Sequence, residues 1–177
     1  MKKLLPVLLF VLAIAVVLCI GAVRGWSGER ADIVASLEEG GELRALAEKR
    51  AMDAHNLGVI LARYLPAEDA DLVALEQASR TILDGSADTA EVIRADNALT
   101  EAALRLSERL PALPDLAASS RDTAYTAALT AALNRKSGVS LSYQQLAGDF
   151  NSRLSSTIMG SLADLLGTDP IDIPVAE

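Results

Sequence analysis

A stretch of twenty residues without a charged side chain, Leu4 to Val23, constrains the fold of this chain more than any other feature. Lys2 and Lys3 precede the stretch and Arg24 follows it. As an α-helix it would be about 30 Å long, which matches the hydrocarbon core of a bilayer. We therefore predict a transmembrane anchor over residues 4–23, preceded by a short basic cytoplasmic start at residues 1–3.

Two other interpretations of this stretch stay open. A cleaved signal peptide also has a basic start, but its apolar part usually has only about 7–15 residues. The triplet Ile20-Gly21-Ala22 places a bulky residue where signal cleavage favours a small one. A lipoprotein would carry its lipid on Cys19, yet Val17 and Leu18 are bulkier than the residues expected before such a cysteine. A retained anchor therefore fits the sequence better than either alternative.

The charges that flank the stretch carry a weak signal for orientation. Lys2, Lys3 and the amino terminus stand against Arg24 and Arg30, and positive flanks tend to stay in the cytoplasm. This small bias favours an amino terminus in the cytoplasm, with the rest of the chain on the outer side of the membrane.

The composition of the remaining chain predicts an all-α fold with an acidic surface. Hydrophobic residues make up 51% of the sequence and aromatic residues only 3%, so Ala and Leu, which favour helices, supply the apolar content. Once Lys2 and Lys3 are set aside, 14 basic residues stand against 24 acidic ones, a formal charge of −10. Such a surface repels phosphate, so we expect no nucleic-acid partner. Because Cys19 is the only cysteine, no disulfide is expected.

Apolar residues that recur every three or four positions predict long amphipathic helices. Three such stripes are present: Leu43, Ala47, Ala51, Ala54, Leu57, Leu61 and Tyr64; Val92, Ala95, Leu99, Ala103, Leu106 and Leu110; and Tyr143, Leu146, Phe150, Leu154, Ile158, Leu162 and Leu165. The last stripe predicts one continuous helix with Leu146, Phe150, Leu154 and Ile158 turned inward and Asn151 turned outward.

Helix-breaking and capping residues divide the chain between these stripes. Pro66 to Asp69 is typical of a helix start, as is the stretch Ser86–Asp88, and Ser27 or Gly28 could begin a helix at Glu29. A weaker helix is predicted from Asp115 to about Lys136. Short connections favour antiparallel neighbours, so residues 24–169 are expected to form an up-and-down bundle of about four long helices. A tail at residues 170–177 follows.

Several short segments occur in an order that resembles one bacterial family. Lys49-Arg50-Ala51-Met52-Asp53-Ala54-His55-Asn56-Leu57 follows the apolar stretch, and Tyr143-Gln144, Phe150-Asn151, Leu166-Gly167 and Asp169-Pro170 come later. Together with Trp26, this order resembles the LemA family of membrane-anchored helical proteins. Members usually show Pro at the place of His55, Asn at the place of Gln144, and a continuous helix where this chain has Gly40-Gly41. These differences indicate a divergent member.

The resemblance implies an antiparallel bundle of long helices at the bacterial cell envelope. With the predicted anchor, it places the protein in the cytoplasmic membrane as a single-pass protein whose bundle is extracytoplasmic. It implies a fold and a location, and no reaction.

Arg50, Asp53 and Asn56 are the candidate functional residues, because a spacing of three puts them on or near one helical face. They could form a polar patch that binds a partner, or an ordinary intrahelical ion pair worth about 0.2–0.5 kcal/mol beside a polar residue. The lone His55 has neither a second His nor a nearby Cys with which to bind zinc. We predict no catalytic, cofactor-binding or metal-binding residue.

These observations favour a non-catalytic envelope protein whose acidic bundle serves as an interaction or scaffold module for other envelope proteins. The alternative is an extracytoplasmic bundle that senses a ligand. A carboxylate-dependent enzyme is the third and weakest interpretation.

Overall fold

A computed structural model of the chain describes residues 4–134 and 138–174, and within them the regular structure is entirely helical. The all-α prediction is therefore confirmed. The α-helices, in chain order, are α1 Leu4–Ala35, α2 Glu42–Leu61, α3 Ala70–Leu83, α4 Thr89–Arg109, α5 Pro114–Ala118, α6 Ser120–Ala132, α7 Val139–Ser156 and α8 Ile158–Leu165. A short 3-10 turn, Leu110–Ala112, separates α4 from α5.

The described residues divide into two compact units. The first combines residues 4–35 with Gln145–Ile173, and it contains α1, most of α7 and α8. The second comprises residues 36–134 and 138–144 with Pro174, and it contains α2 to α6 and the first turn and a half of α7.

In the first unit, α1 runs for 32 residues without a break. Its large apolar side chains from Val7 to Ile20 are exposed, and residues Pro6–Ala35 are long and apolar enough to cross a membrane. A signal sequence would pass the same test of length and composition. The expected new helix start at Ser27 or Gly28 is wrong, because α1 continues through both residues. The low helix propensity of Ser and Gly is a weak preference. Burial of Ile33 in the last turns of α1 favours continuation of the helix through both residues.

The prediction of one continuous last helix is wrong, because the helix is interrupted between α7 and α8. The Thr157 hydroxyl accepts a hydrogen bond from the Gly160 amide at 3.0 Å and so begins a new helix. A Cβ atom on Gly160 would lie 2.4 Å from the Leu154 carbonyl oxygen, so only glycine fits this close approach. Phe150 and Leu154 are buried as predicted, but Leu146 and Ile158 are exposed.

In the second unit, the predicted stripes of α2 and α4 form the core. Within this unit α3 packs against both α2 and α4, and α2 and α4 also contact α6. Ala47, Ala51, Ala54, Leu57 and Leu61 of α2 are buried, as are Val92, Ala95, Leu99, Ala103 and Leu106 of α4. The small alanines on α2 allow its neighbours to approach closely.

Local capping determines where several helices of the second unit begin. Asp69 accepts hydrogen bonds from the amides of Asp71 and Leu72, and Asp88 forms a capping box with Glu91. Both predicted start regions therefore contain a true cap. The helix expected from Asp115 is instead divided at Ser119, which caps α6. Its expected end at Lys136 lies outside the described residues.

Candidate functional site

The three residues of the predicted polar patch differ in accessibility. Asp53 is half-buried and Asn56 is exposed, whereas Arg50 is only 2% exposed. Arg50 reaches the interior because it lies between Ala47 and Ala54 on the apolar side of α2. Only Asp53 and Asn56 are therefore accessible to a partner.

The guanidinium of Arg50 joins three helices of the second unit. Its Nε donates to the Oδ1 atom of Asp96 on α4 at 2.7 Å, and a terminal nitrogen donates to the Thr100 hydroxyl at 2.7 Å. The other terminal nitrogen donates to the Ala132 carbonyl at the end of α6 at 3.4 Å. The Thr100 hydroxyl in turn donates to the Asp96 carbonyl at 2.8 Å, which orients it toward Arg50.

Asp96 also caps the start of α7. Its Oδ2 atom accepts hydrogen bonds from the amides of Val139 at 2.8 Å and Ser140 at 3.4 Å. The first amides of a helix lack partners within the helix, and the positive end of the helix dipole favours a carboxylate there. Asp96, itself only 1% exposed, thus neutralises Arg50 and completes α7 at the same time.

A cavity of about 290 Å³ lies beside Asp96, between α4 and the first turns of α7. Six of its eight lining residues carry a carboxylate, amide or hydroxyl group: Asp96, Asn97, Thr100, Glu101, Ser140 and Gln144, with Gly138 and Leu141 as the other two. The volume is at the lower limit of sites that hold small molecules, and the lining suits a polar or cationic ligand.

A second buried arginine, Arg44, supports the end of α3. It donates to the carbonyl of Ile82 at 3.2 Å and to the carbonyl of Ala87 at 3.0 Å, and it pairs with Glu48 at 3.2 Å. The last carbonyls of a helix lack intrahelical partners, so this arginine satisfies groups that would otherwise stay unbonded. Sequence reasoning missed Arg44, although a basic residue on an apolar stripe is a signal for such a role.

Two aspartates at the start of α3 are paired with two arginines near the end of α4. Arg105 donates to Asp71 at 2.6 Å, and Arg109 bonds both Asp71 and Asp69. The hydrogen bond from Arg109 lowers the pKa of Asp69, and the hydrogen bond from Arg105 lowers the pKa of Asp71. These ion pairs hold the two helix ends together.

Tyr64, Asp122 and Arg63 form a smaller polar cluster. The Tyr64 hydroxyl donates to Asp122 Oδ2 at 2.6 Å, and Arg63 donates to the same atom at 3.2 Å. The hydrogen bond to Asp122 raises the pKa of Tyr64 above its ordinary value, since ionised tyrosine could no longer donate. The cluster ties the chain after α2 to the start of α6.

In the first unit, Trp26 of α1 contacts two residues of α7. Its ring meets Phe150 edge to face, with ring centroids 5.6 Å apart. The Arg153 guanidinium lies 5.6 Å from the Trp26 centroid and also pairs with Glu29, which raises the pKa of Arg153. The Arg153 cation thus lies over the Trp26 ring about one turn beyond the uncharged stretch.

Asn151 was expected to face outward, but it is half-buried and makes two hydrogen bonds. Its Nδ2 donates to the Ile171 carbonyl at 2.8 Å, and its Oδ1 accepts from the Ile171 amide at 2.8 Å. This pair of bonds attaches the segment after α8 to α7. The twenty-residue separation left no local signal in the sequence.

His55 lies exposed on α2. Among residues 4–134 and 138–174, no group of three or more His, Cys, Asp and Glu side chains is arranged to hold a metal ion.

No known protein family, no curated protein and no solved structure matches the chain.

Proposed function

We propose that this protein is a non-catalytic module anchored in the bacterial cytoplasmic membrane, whose acidic helices bind other proteins of the cell envelope. The exposed apolar surface of α1 from Val7 to Ile20 carries this proposal. Such a surface is stable in lipid and unstable in water. Residues 4–23 would form the span, with the remaining helices on the extracytoplasmic side.

The buried charges of the second unit have structural partners, which supports a non-catalytic role. Both carboxylate oxygens of Asp96 accept hydrogen bonds, and Arg44 bonds the Ile82 carbonyl near the end of α3. Asp122 is engaged by Tyr64 and Arg63. These groups hold helices together, and a catalytic acid or base would instead have to exchange protons with a substrate.

We further propose membership of the LemA family as a divergent branch, on the ordered segments from Lys49 to Pro170. Short connections between α2, α3 and α4 favour an antiparallel up-and-down arrangement of these helices.

The exposed side of α2 is the partner surface we propose. Met52 and Val59 project from it beside the accessible patch residues Asp53 and Asn56. An apolar centre with a polar rim is the usual composition of a protein-binding site, and methionine adapts well to different partners.

Site-specific photo-crosslinking in native membranes tests this surface. A photoreactive phenylalanine at Met52, which is 58% exposed, should yield one reproducible adduct. The matched control places the same group at Tyr125 of α6, which is 52% exposed. Asp53→Lys in the Met52-labelled chain should abolish the adduct. Equal labelling from both positions, or an adduct insensitive to Asp53→Lys, would contradict the proposed surface.

A ligand-sensing role is the second candidate, because the cavity beside Asp96 has a polar lining. Glu101 and the amides of Asn97 and Gln144 would bind a small cation with hydrogen-bond donors. At least one compound in a panel of amino acids and polyamines should then raise the melting temperature of the parent chain. The same compound should leave the melting temperature of the Gln144→Leu variant unchanged. No shift with any of these compounds would count against a sensor of this type.

A further inference from the structure

The outward face of α8 is apolar. Ile158 is 89% exposed and Leu165 is 82% exposed, and the half-buried Leu162 and the exposed Leu166, just after α8, continue the same stripe at helical spacing. The opposite face of α8 bears the buried residues Gly160 and Ala163. A short helix in water would normally turn such a stripe inward.

Charge offers no reason for this exposure. Asp164 is the only charged residue of α8, and helical spacing places it away from the Ile158 stripe. Among residues 154–174 there is no Lys or Arg, so the stripe has no electrostatic attraction to anionic headgroups. Any affinity of the stripe for a membrane must therefore come from apolar contact.

The position of α8 within the first unit indicates what its apolar stripe contacts. The helix packs along α1. Met159 of α8 shares an open groove with α1 residues on both sides of Val23, where the uncharged stretch ends: Val17, Leu18, Gly21, Ala22, Gly25, Trp26 and Glu29. α8 thus begins beside the last turns of the predicted span.

The length of the span sets the depth of α8. Residues 6–18 of α1 are exposed, and at 1.5 Å per residue they extend about 20 Å, less than the hydrocarbon core of about 30 Å. Filling the core requires the apolar stretch up to Val23. On one side of α1, however, protein already covers Cys19, Ala22 and Val23 to varying degrees. The covering residues must therefore enter the outermost part of the core.

We propose that α8 is a second membrane-contacting element, which lies at the bilayer interface and presents Ile158, Leu162, Leu165 and Leu166 to lipid acyl chains. This inference rests on the proposed function, in that α1 must span the membrane. An interfacial helix buries its apolar face about 5–10 Å into the headgroup and acyl boundary. Trp26, beside the same groove, is a residue type that concentrates at this level. The tight packing of Gly160 holds the stripe in this orientation.

Fluorophore quenching by lipid tests the inference on the full chain. Cys19→Ala removes the only cysteine. Single cysteines are then introduced as Ile158→Cys, Leu165→Cys, Val11→Cys and Met52→Cys, all at exposed positions, and labelled with the polarity-sensitive dye NBD. The proteins are reconstituted into phosphatidylcholine vesicles with bromine near either the headgroup end or the middle of the acyl chains.

We expect the dye at positions 158 and 165 to emit at shorter wavelength than at position 52, and to be quenched most by the shallow bromines. Val11 should respond most to the deep bromines, and position 52 to neither. Quenching at Val11 without quenching at 158 and 165 would overturn the inference and leave the anchor intact. A blue-shifted but unquenched signal at 158 would also overturn it, because protein would then cover α8. Absence of quenching at Val11 would reject the anchor itself.

Discussion

The two units differ in the exposure of their large apolar side chains. In the second unit, Leu57, Leu99 and Leu106 are fully buried. In the first unit, Phe10, Val17 and Ile158 are exposed, while Trp26 and Phe150 contact each other between helices. Burial of apolar area drives folding only where the surroundings are water. The first unit therefore exposes on α1 an apolar surface long enough to cross a membrane, whereas the second unit places these three leucines in its interior.

The difference also concerns how polar groups are used. The second unit buries an ion pair, Arg50 with Asp96, as part of its core. The first unit keeps its ion pair, Glu29 with Arg153, partly exposed beside an aromatic ring. Buried pairs depend on complete hydrogen bonding, whereas exposed pairs are weak and screened. Breaking the buried pair should consequently cost more stability than breaking the partly exposed one.

The largest effect is expected at the buried ion pair. Asp96→Ala leaves Arg50 charged and unpaired and removes the cap of α7, so it should destabilise the second unit by about 3–5 kcal/mol. Chemical unfolding of the full chain in detergent, followed by circular dichroism, measures this loss. The double variant Arg50→Met with Asp96→Leu should regain a substantial part of it, and Asp53→Ala should cost little. A small loss for Asp96→Ala would show that the pair is dispensable.

A similar loss is expected in the first unit from its aromatic contact. Phe150 is fully buried, so Phe150→Ala should cost about 3–5 kcal/mol through lost burial and an unfilled cavity. Trp26 is the only tryptophan, and its fluorescence reports directly on this contact. Leu146→Ala, on the exposed side of α7, is the matched control and should cost less than about 1 kcal/mol. Equal losses at both positions would mean that α7 packs in another register.

A moderate effect is expected at Asn151. Asn151→Ala removes both hydrogen bonds to Ile171 and should destabilise the first unit by about 1–3 kcal/mol, since two backbone groups lose their partner. Thermal melts in detergent followed by Trp26 fluorescence provide the measurement. Ser152→Ala alters the exposed neighbour and should be silent. If both variants melt alike, the segment after α8 is not held by Asn151.

The smallest effect is expected from the ion pairs between α3 and α4. Arginines lower the pKa of Asp69 and Asp71 in the folded state. The two aspartates therefore contribute their full stabilisation of the fold above the ordinary Asp pKa of about 3.9. It is lost as the pH falls through the lowered values. Asp69→Asn with Asp71→Asn should therefore reduce stability at neutral pH and flatten its decline below about pH 4. Glu108→Gln with Asp115→Asn, which removes the same charge and leaves the pairs of Asp69 and Asp71 intact, is the matched control.

Much of the fold could be predicted because its signals are local. The stripes of α2 and α4 repeat within one or two turns, so each helix and its buried face can be recognised from the residues of that helix alone. The caps at Asp69 and Asp88 act over three residues. The last stripe led to a wrong prediction for the same reason, because its spacing continues through Thr157. The interruption of the helix depends instead on the close approach of Gly160 to the preceding turn.

The candidate site could be predicted only in part. Arg50 stood out on α2, but its partners Asp96 and Thr100 lie 46 and 50 residues away, and no spacing rule connects them. Asn151 and Ile171 are likewise joined across twenty residues. Such pairs form when helices pack, because packing determines which polar groups are removed from water together.

The amino-acid sequence by itself determined that this protein is helical, that its first helix is apolar enough to span a membrane, and that the α2 and α4 stripes are buried. These properties follow from charge, helix propensity and periodicity, which act between near neighbours along the chain. Only the tertiary structure decided that Arg50 is an interior residue, that α7 and α8 are separate, and that Ile158 and Leu165 face outward. Those outcomes depend on distant segments competing for the same space, where close packing and hydrogen-bond satisfaction outweigh local preference.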